Sequence, residues 1–190
     1  MSKTTVKLSY SILNAWAHGQ WEQAVGYYVG QPLPPTPEME LGRVKHEQWE
    51  RQIKATGALP DELGEWPLTA PVTEQKYQKR IPVNDELDIL LRGVPDCLDG
   101  PRVYEWKSGL TSASSYVDSM QTDYYKLLIP HITEAVYVVW NPYTEGREVG
   151  VKFLGRTNAE GALEHVLTFG LEMIDYLKVQ RLLKNYEAAA

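Results

Sequence analysis

The first third of the chain carries apolar residues at helical spacing. Four of them define the pattern: Ile12, Leu13, Trp16 and Val25. Recurrence every three or four positions is typical of an amphipathic helix, and Ser9 is a suitable N-cap for it. Gly30 and the four prolines of residues 32–37 end this helix, because proline cannot continue one. A second helix is predicted over Glu38–Ala55.

The middle of the chain changes to short runs of β-branched and aromatic residues separated by turn residues. Strands are predicted over residues 72–83, 87–94, 101–107, 135–140 and 148–154. Residues 115–129 read as a helix between the third and fourth strands. Thr157 and Glu160 fit a capping box, which predicts a long final helix over residues 157–186.

This order of elements predicts a single α/β domain over residues 1–190. Its parts are an N-terminal helical part (8–57), a sheet core (72–154) and the C-terminal helix. Helices and strands in one short chain pack as a sheet covered by helices, as in α/β or α+β domains. A central mixed sheet flanked by helices is therefore expected.

Composition excludes several classes of protein. The 190 residues are 43% hydrophobic, and 19 Lys and Arg face 25 Asp and Glu, for a net charge of −6. Binding that depends on phosphate attraction alone is excluded, whereas a nucleic-acid enzyme that uses divalent cations is not. Cys97 is the only cysteine, so a single chain forms no disulfide and no cysteine-ligated cluster. No signal-like or membrane-spanning run occurs, so we expect a soluble cytoplasmic protein.

The strand that contains Glu105 and Lys107 carries the strongest chemical signal. Side chains alternate along a strand, so Glu105 and Lys107 point to one face. A tight turn at residues 99–100 predicts that strands 87–94 and 101–107 are antiparallel neighbours, which brings Asp96 to the same end of the sheet. Two carboxylates beside a lysine suit a divalent cation and an activated water. The alternative is an exposed Glu–Lys pair on a hairpin.

Two further pairs stand at helical spacing. Gly42 and His46 form a GxxxH motif on the second helix, and Gln121 and Tyr125 form a QxxxY motif on the helix after the ExK strand. Residues four apart share a helix face. Taken alone, a histidine on a helix is more often structural or solvated than a ligand, and a Gln/Tyr pair at this spacing is usually ordinary surface.

The order GxxxH, GxxD, ExK and QxxxY, after a first helix that begins LSYSIL at residue 8, resembles the PD-(D/E)xK nuclease superfamily and its RecB-like members. The resemblance spans about residues 8–141. It implies a restriction-endonuclease-like core and metal-dependent hydrolysis of phosphodiester bonds. Some RecB-like relatives add a four-cysteine iron–sulfur cluster, which this chain cannot hold with Cys97 alone.

Carried over position by position, the resemblance implies four ligands for Mg²⁺ or Mn²⁺: His46, Asp96, Glu105 and the backbone carbonyl of Trp106. Asp96 and Glu105 would act in catalysis together with Lys107, which would orient or deprotonate the attacking water. Gln121 and Tyr125 would support the site and contact the substrate backbone.

The most basic short stretch, residues 75–80, offers a second place for DNA. Lys76, Lys79 and Arg80 would track the DNA backbone, with Tyr77 stacking on a base. A solvated edge strand protected by lysines explains the same residues.

These observations predict a Mg²⁺- or Mn²⁺-dependent deoxyribonuclease, exonucleolytic in mode, acting in recombination, repair or phage DNA processing. DNA is the expected partner, with a recombination or single-strand-annealing protein as a possible second and no membrane contact. Strand polarity and oligomeric state are left open. The alternatives are an inactive nucleic-acid-binding module on the same fold, a structure-specific endonuclease, and a glycoside hydrolase using Asp96 and Glu105 as acid and base.

Overall fold

The structure is a computed structural model, and it describes residues 3–64, 67–144 and 146–186. Eight strands are present in that part of the chain: β1 (Thr4–Ser9), β2 (Val72–Thr73), β3 (Tyr77–Pro82), β4 (Leu87–Gly93), β5 (Cys97–Asp99), β6 (Arg102–Ser108), β7 (Glu134–Trp140) and β8 (Arg147–Phe153). The helices are α1 (Tyr10–Ala17), α2 (Trp21–Val29), α3 (Pro37–Thr56), α4 (Ala113–Val117), α5 (Gln121–Leu128) and α6 (Arg156–Val179), with a short 3₁₀ helix at Asp61–Leu63. No helix within the described ranges has the length and apolar character to cross a membrane.

The strands form two mixed sheets. In the three-stranded sheet, of order β1-β4-β3, β1 runs parallel to β4 and β3 antiparallel to it. In the five-stranded sheet, of order β2-β5-β6-β7-β8, only β6 and β7 are parallel. The predicted α/β class, with N-terminal helices, flanking helices and a long C-terminal helix, is confirmed.

The N-terminal part differs from the prediction in two ways. A strand, β1, precedes the first helix, with Val6 and Leu8 buried on one face. The predicted first helix is divided into α1 and α2 near Gly19, whose φ of +72° is incompatible with a continuous helix. The predicted N-cap is confirmed, since the Ser9 hydroxyl accepts a hydrogen bond from the backbone N–H of Ile12.

The middle differs in its pairing. The predicted strand over residues 72–83 is interrupted at Glu74, which has a φ of +55°, and its two pieces, β2 and β3, join different sheets. The antiparallel neighbour of β6 is the three-residue strand β5, not β4. The predicted helix over residues 115–129 is two helices, α4 and α5.

The C-terminal helix begins one residue before the predicted cap. Gly155 is its N-cap, and the Gly155 N–H donates to the side-chain oxygen of Asn158. The helix ends at Val179 instead of residue 186. The last described residues instead run along the free edge of β1, where the Tyr186 N–H donates to the carbonyl of Thr5.

Two hydrophobic cores lie on opposite sides of β6. Tyr104 and Trp106 belong to the core shared with Trp49 of α3, whereas Val103 belongs to the core formed by the three-stranded sheet with α1, α5 and α6. Strand alternation places Glu105 on the same face as Val103, toward α5. The fold therefore buries Glu105 on the side of β6 that faces α5.

Candidate active site

The hairpin of β5 and β6 holds Asp96 beside the middle of β6. Asp96 immediately precedes β5, and its Oδ2 accepts a hydrogen bond of 2.7 Å from the backbone N–H of Trp106. This bond fixes the Asp96 carboxylate against the backbone between Glu105 and Lys107. The predicted proximity of Asp96, Glu105 and Lys107 is therefore present, although a different strand pairing produces it.

Glu105 is the centre of the site. It is 1% exposed, and its Oε2 accepts hydrogen bonds from Lys107 Nζ at 2.8 Å and from Gln121 Nε2 at 2.6 Å. Its other oxygen, Oε1, is buried and has no hydrogen-bond partner within the described part of the chain. A buried carboxylate oxygen without a partner is costly, so this atom is an acceptor that a cation or a water would satisfy.

Helix α5 supplies the QxxxY pair. Gln121 and Tyr125 stand one turn apart, with Gln121 Nε2 at 3.4 Å from the Tyr125 hydroxyl. The Tyr125 hydroxyl donates to the carbonyl of Val94 at 3.1 Å, which ties α5 to the segment that leads to Asp96. A Cβ at Gly93 would lie 3.0 Å from the Tyr125 ring, so the glycine lets the helix approach.

Helix α3 supplies the histidine. His46 Nδ1 lies 3.7 Å from Asp96 Oδ1, and the His46 side chain is about one-third exposed. A Cβ at Gly42 would lie 2.7 Å from the Ser108 hydroxyl oxygen, so this glycine allows α3 to lie against the end of β6. In the GxxxH motif, the glycine therefore allows close packing of α3, and the histidine faces Asp96.

Burial and neighbouring charges shift the pKa values of Glu105 and Asp96 in opposite directions. Burial, reinforced by the Asp96 charge, raises the pKa of Glu105 to about 7 in spite of the nearby Lys107. Burial also acts to raise the pKa of Asp96, but the neighbouring His46 and the charge of Lys107 outweigh it and hold that pKa below its ordinary value. Burial opposes the charge on Lys107, yet the Glu105 and Asp96 charges raise the lysine pKa above its usual range.

Glu74 is a carboxylate near this site that the sequence did not single out. It sits in the left-handed conformation between β2 and β3. Its pKa is raised, first by partial burial and then by the charges of Asp96 and Glu50. A lone glutamate in a basic stretch gives no sequence signal for this placement, which depends on how β2 pairs with β5.

The predicted metal ligands are only partly assembled. Within the ranges that the structure describes, no group of three or more His, Cys, Asp or Glu side chains has metal-site geometry. His46 and Asp96 approach one another, and Glu105 presents its free Oε1. Carboxylate oxygens suit Mg²⁺ or Mn²⁺ in chemical type, whereas an imidazole ligand favours transition-metal ions. The donor types and the orphan oxygen therefore fit a divalent cation, while its coordination, including the Trp106 carbonyl, stays a prediction.

The basic stretch is not brought to Glu105. Lys79 Nζ donates to the carbonyl of Leu127, and Arg80 donates to Asp88 and to the hydroxyl of Thr5. Lys79 and Arg80 are adjacent on β3 and therefore point to opposite faces. Lys76 precedes β3 and is exposed. Their predicted contact with DNA stays a prediction.

Comparison with known proteins shows the fold. No family model matches the chain, and no curated protein matches it. The chain is similar to the crystal structure of SSO0001 with a TM-score of 0.53 and 15% identity, covering 88% of this chain and 79% of that one. At this identity the likeness shows a shared fold alone.

Two further solved structures are of an alkaline exonuclease, LHK-Exo, from Laribacter hongkongensis. One has a TM-score of 0.49 at 13% identity, and one, in complex with dAMP, has a TM-score of 0.47 at 14% identity. Each alignment covers 92% of this chain and 93% of that one.

Proposed function

We propose that this protein is a divalent-metal-dependent deoxyribonuclease with an exonucleolytic mode. One observation carries the proposal: the GxxD, ExK and QxxxY motifs meet around Glu105, which has one buried oxygen without a partner among the described residues. Lys107 and Gln121 both donate to Oε2, and Asp96 is bonded to the next backbone N–H. Purely structural carboxylates normally have both oxygens satisfied.

The residues have distinct chemical tasks in this proposal. Asp96, the free oxygen of Glu105 and His46 would hold Mg²⁺ or Mn²⁺, which when bound polarises a scissile phosphate and lowers the pKa of water. Lys107 stays protonated beside Glu105, so it would donate hydrogen bonds to the attacking water or a phosphoryl oxygen. Gln121 keeps the Glu105 carboxylate oriented.

Lys107 acts as a donor in this scheme for a physical reason. Two acidic neighbours raise its pKa, so the ammonium form is favoured at neutral pH. A protonated lysine aimed at developing negative charge stabilises a transition state without accepting a proton. The sequence left orientation and deprotonation of water as equal roles, and the charge environment favours orientation.

Cleavage of end-labelled DNA tests the proposal. Linear and closed circular DNA, single- and double-stranded, are incubated with Mg²⁺, Mn²⁺ or EDTA, using wild type and Glu105→Gln. Exposed Glu172 on α6 provides the matched control Glu172→Gln. We expect linear DNA to be shortened with metal and not with EDTA, circular DNA to stay intact, and only Glu105→Gln to be inactive.

Four results would contradict the proposal. Cleavage that persists in EDTA excludes metal dependence, and equal activity of Glu105→Gln and Glu172→Gln excludes the site. Nicking of closed circles by the wild type, abolished in Glu105→Gln, would replace the exonucleolytic mode with an endonucleolytic one. Binding of DNA without cleavage under every metal condition would favour an inactive binding module.

A further inference from the structure

A second feature adjoins the candidate active site: a cavity of about 480 Å³ that Gln121 and Tyr125 also line. This volume lies within the range of roughly 300–1,000 Å³ typical of pockets for small organic ligands. Its walls are unusually rich in one residue type, with six tyrosines: Tyr10, Tyr27, Tyr28, Tyr124, Tyr125 and Tyr186. The candidate active site therefore adjoins a cavity lined by aromatic side chains.

Hydrogen bonds fix several of these rings in place. The Tyr28 hydroxyl accepts from the backbone N–H of Lys184, and the Tyr124 hydroxyl lies 2.7 Å from Nδ1 of His165. The Tyr125 hydroxyl is bound to the carbonyl of Val94. Rings held by their polar ends present rigid apolar surface at little entropic cost.

Two cations share the cavity with the tyrosines. Arg92 on β4 is paired with Ser9 on β1, and Lys7 lies two residues before Ser9, so Arg92 and Lys7 point to the same face. Both line the cavity, and within the described part of the chain neither forms an ion pair with a carboxylate. In a chain of net charge −6, two cations with no carboxylate partner among the described residues indicate a site for an anionic ligand.

The C-terminal segment, residues 184–186, completes the cavity. Thr5 donates from its backbone N–H to the Asn185 side chain at 2.8 Å, and its carbonyl accepts from the Tyr186 N–H at 2.8 Å. These bonds place the half-buried Tyr186 ring on the cavity wall, with Lys7 Nζ 4.2 Å from the ring centroid. The segment thus contributes an aromatic ring through backbone pairing with β1.

We propose that this cavity binds one unpaired nucleotide of the substrate strand, with its base stacked on Tyr186 and its phosphate held by Lys7 and Arg92. Aromatic rings beside cations are the combination by which proteins hold single-stranded nucleic acid without base preference. The inference rests on the proposed nuclease function, because Gln121 links the cavity to Glu105. It adds that the strand enters the site unpaired.

Binding of a short single-stranded oligonucleotide, measured by fluorescence anisotropy in Ca²⁺, tests this inference. One base is removed at each position in turn, leaving the phosphates intact. Removing the base that occupies the cavity should weaken binding about tenfold, the order expected for one base–aromatic stack. Tyr186→Ala should cause a similar loss on intact DNA and almost none on that abasic oligonucleotide, because the two changes remove the same contact.

Two controls separate stacking from loss of structure. Tyr186→Phe keeps the ring and should bind as wild type does. Tyr143→Ala removes an exposed tyrosine on the turn after β7, outside the cavity, and should change nothing. Arg92→Ala should weaken every oligonucleotide alike and reduce the salt dependence of binding, whereas the exposed Arg156→Ala should not.

The cavity and the nuclease fail in different ways. If the wild type cleaves DNA in Mn²⁺ but Tyr186→Ala weakens binding equally on intact and abasic DNA, the nucleotide site in the cavity is refuted. The proposed nuclease function then stands. No effect of any abasic position, or no binding of single strands, would overturn the cavity as well. If the effect of Tyr186→Ala on binding depends on one base but the wild type cleaves no DNA, the nucleotide site is supported and the nuclease function is refuted.

Discussion

Two buried carboxylates, one in each sheet, have opposite surroundings. Asp88 on β4 has a cation at each oxygen: Lys3 Nζ lies 2.7 Å from Oδ1 in an ion pair that lacks hydrogen-bond geometry, and Arg80 donates to Oδ2 at 2.6 Å. Glu105 on β6 is bound by Lys107 and Gln121 at a single oxygen, while its other oxygen has no partner in the described part of the chain. Their side chains are 4% and 2% exposed, so burial does not distinguish them.

The difference appears in their protonation. Lys3 and Arg80 lower the pKa of Asp88, whereas burial and the Asp96 charge raise the pKa of Glu105 to about 7. The charge of Asp88 is compensated by two cations of the protein itself. Glu105 is a carboxylate whose charge the protein leaves incompletely compensated, which is the condition expected at a site that recruits a cation.

The largest difference should appear in catalysis. Lys107→Ala should lower turnover by about 10²–10⁴-fold, the usual range for removing a residue that takes part in proton transfer or orientation. Lys3→Ala, which removes the lysine partner of Asp88, should leave turnover within about twofold. Single-turnover cleavage of end-labelled DNA in Mn²⁺ measures both, and comparable losses would show that the two lysines have equivalent, structural roles.

Stability should change in the opposite order. Asp88→Asn should cost about 1–2 kcal/mol of unfolding free energy, because the hydrogen bond from Arg80 and the ion pair with Lys3 are weakened. Glu105→Gln at pH 8 should cost nothing or stabilise the protein, because it removes a buried charge. Urea denaturation of both variants, without metal, makes the comparison. A loss in Glu105→Gln as large as in Asp88→Asn would mean that Glu105 is a structural ion-pair partner.

The pH dependence of stability should isolate Glu105. Its folded-state pKa is raised to about 7, above the unfolded value, so the folded state binds more protons than the unfolded state between the two values. Stability attributable to Glu105 is therefore greatest at low pH and declines as pH rises to about 7. Melting temperatures of wild type minus those of Glu105→Gln, from pH 5 to 8, should fall by a few degrees. A flat difference would contradict the raised pKa.

The smallest effect concerns His46, which contacts Asp96 at 3.7 Å and is partly exposed. If His46 is a ligand, His46→Ala should melt within about 2 °C of wild type without metal, since few packing contacts are lost. The stabilisation given by Mn²⁺ should shrink, because one ligand is missing. A variant that melts several degrees lower yet keeps the full Mn²⁺-induced shift would identify His46 as a packing residue.

The sequence predicted which residues lie close together better than it predicted the strand pairing that brings them there. Alternation on β6 correctly predicted that Glu105 and Lys107 share a face, because period-two alternation is local. The neighbour of β6 was predicted wrongly because β5 has only three residues and shows no pattern of its own. Asp96 nevertheless reached the site, since it lies in the segment shared by both pairings.

Non-local features could not be predicted in the same way. The break at Glu74 requires a positive φ, which a glutamate residue gives no reason to expect. The binding of residues 184–186 to β1 depends on a sheet edge that exists only after folding. One feature was available: alternation on β3 already places Lys79 and Arg80 on opposite faces. That alternation alone predicts that Lys79 and Arg80 do not form one continuous basic surface.

The pairing of Thr5 with Asn185 and Tyr186 has a consequence for how the chain is made. Strand β1 is synthesised well before its inner neighbour, β4, which starts at Leu87, and its outer edge has no partner among the described residues until residues 185–186 follow. Contacts this distant in sequence form late and slow the search for the native state. An open strand edge during synthesis also invites pairing with other chains. Chains truncated after Lys184 should therefore be prone to aggregation, even though they keep every helix and strand of the described residues.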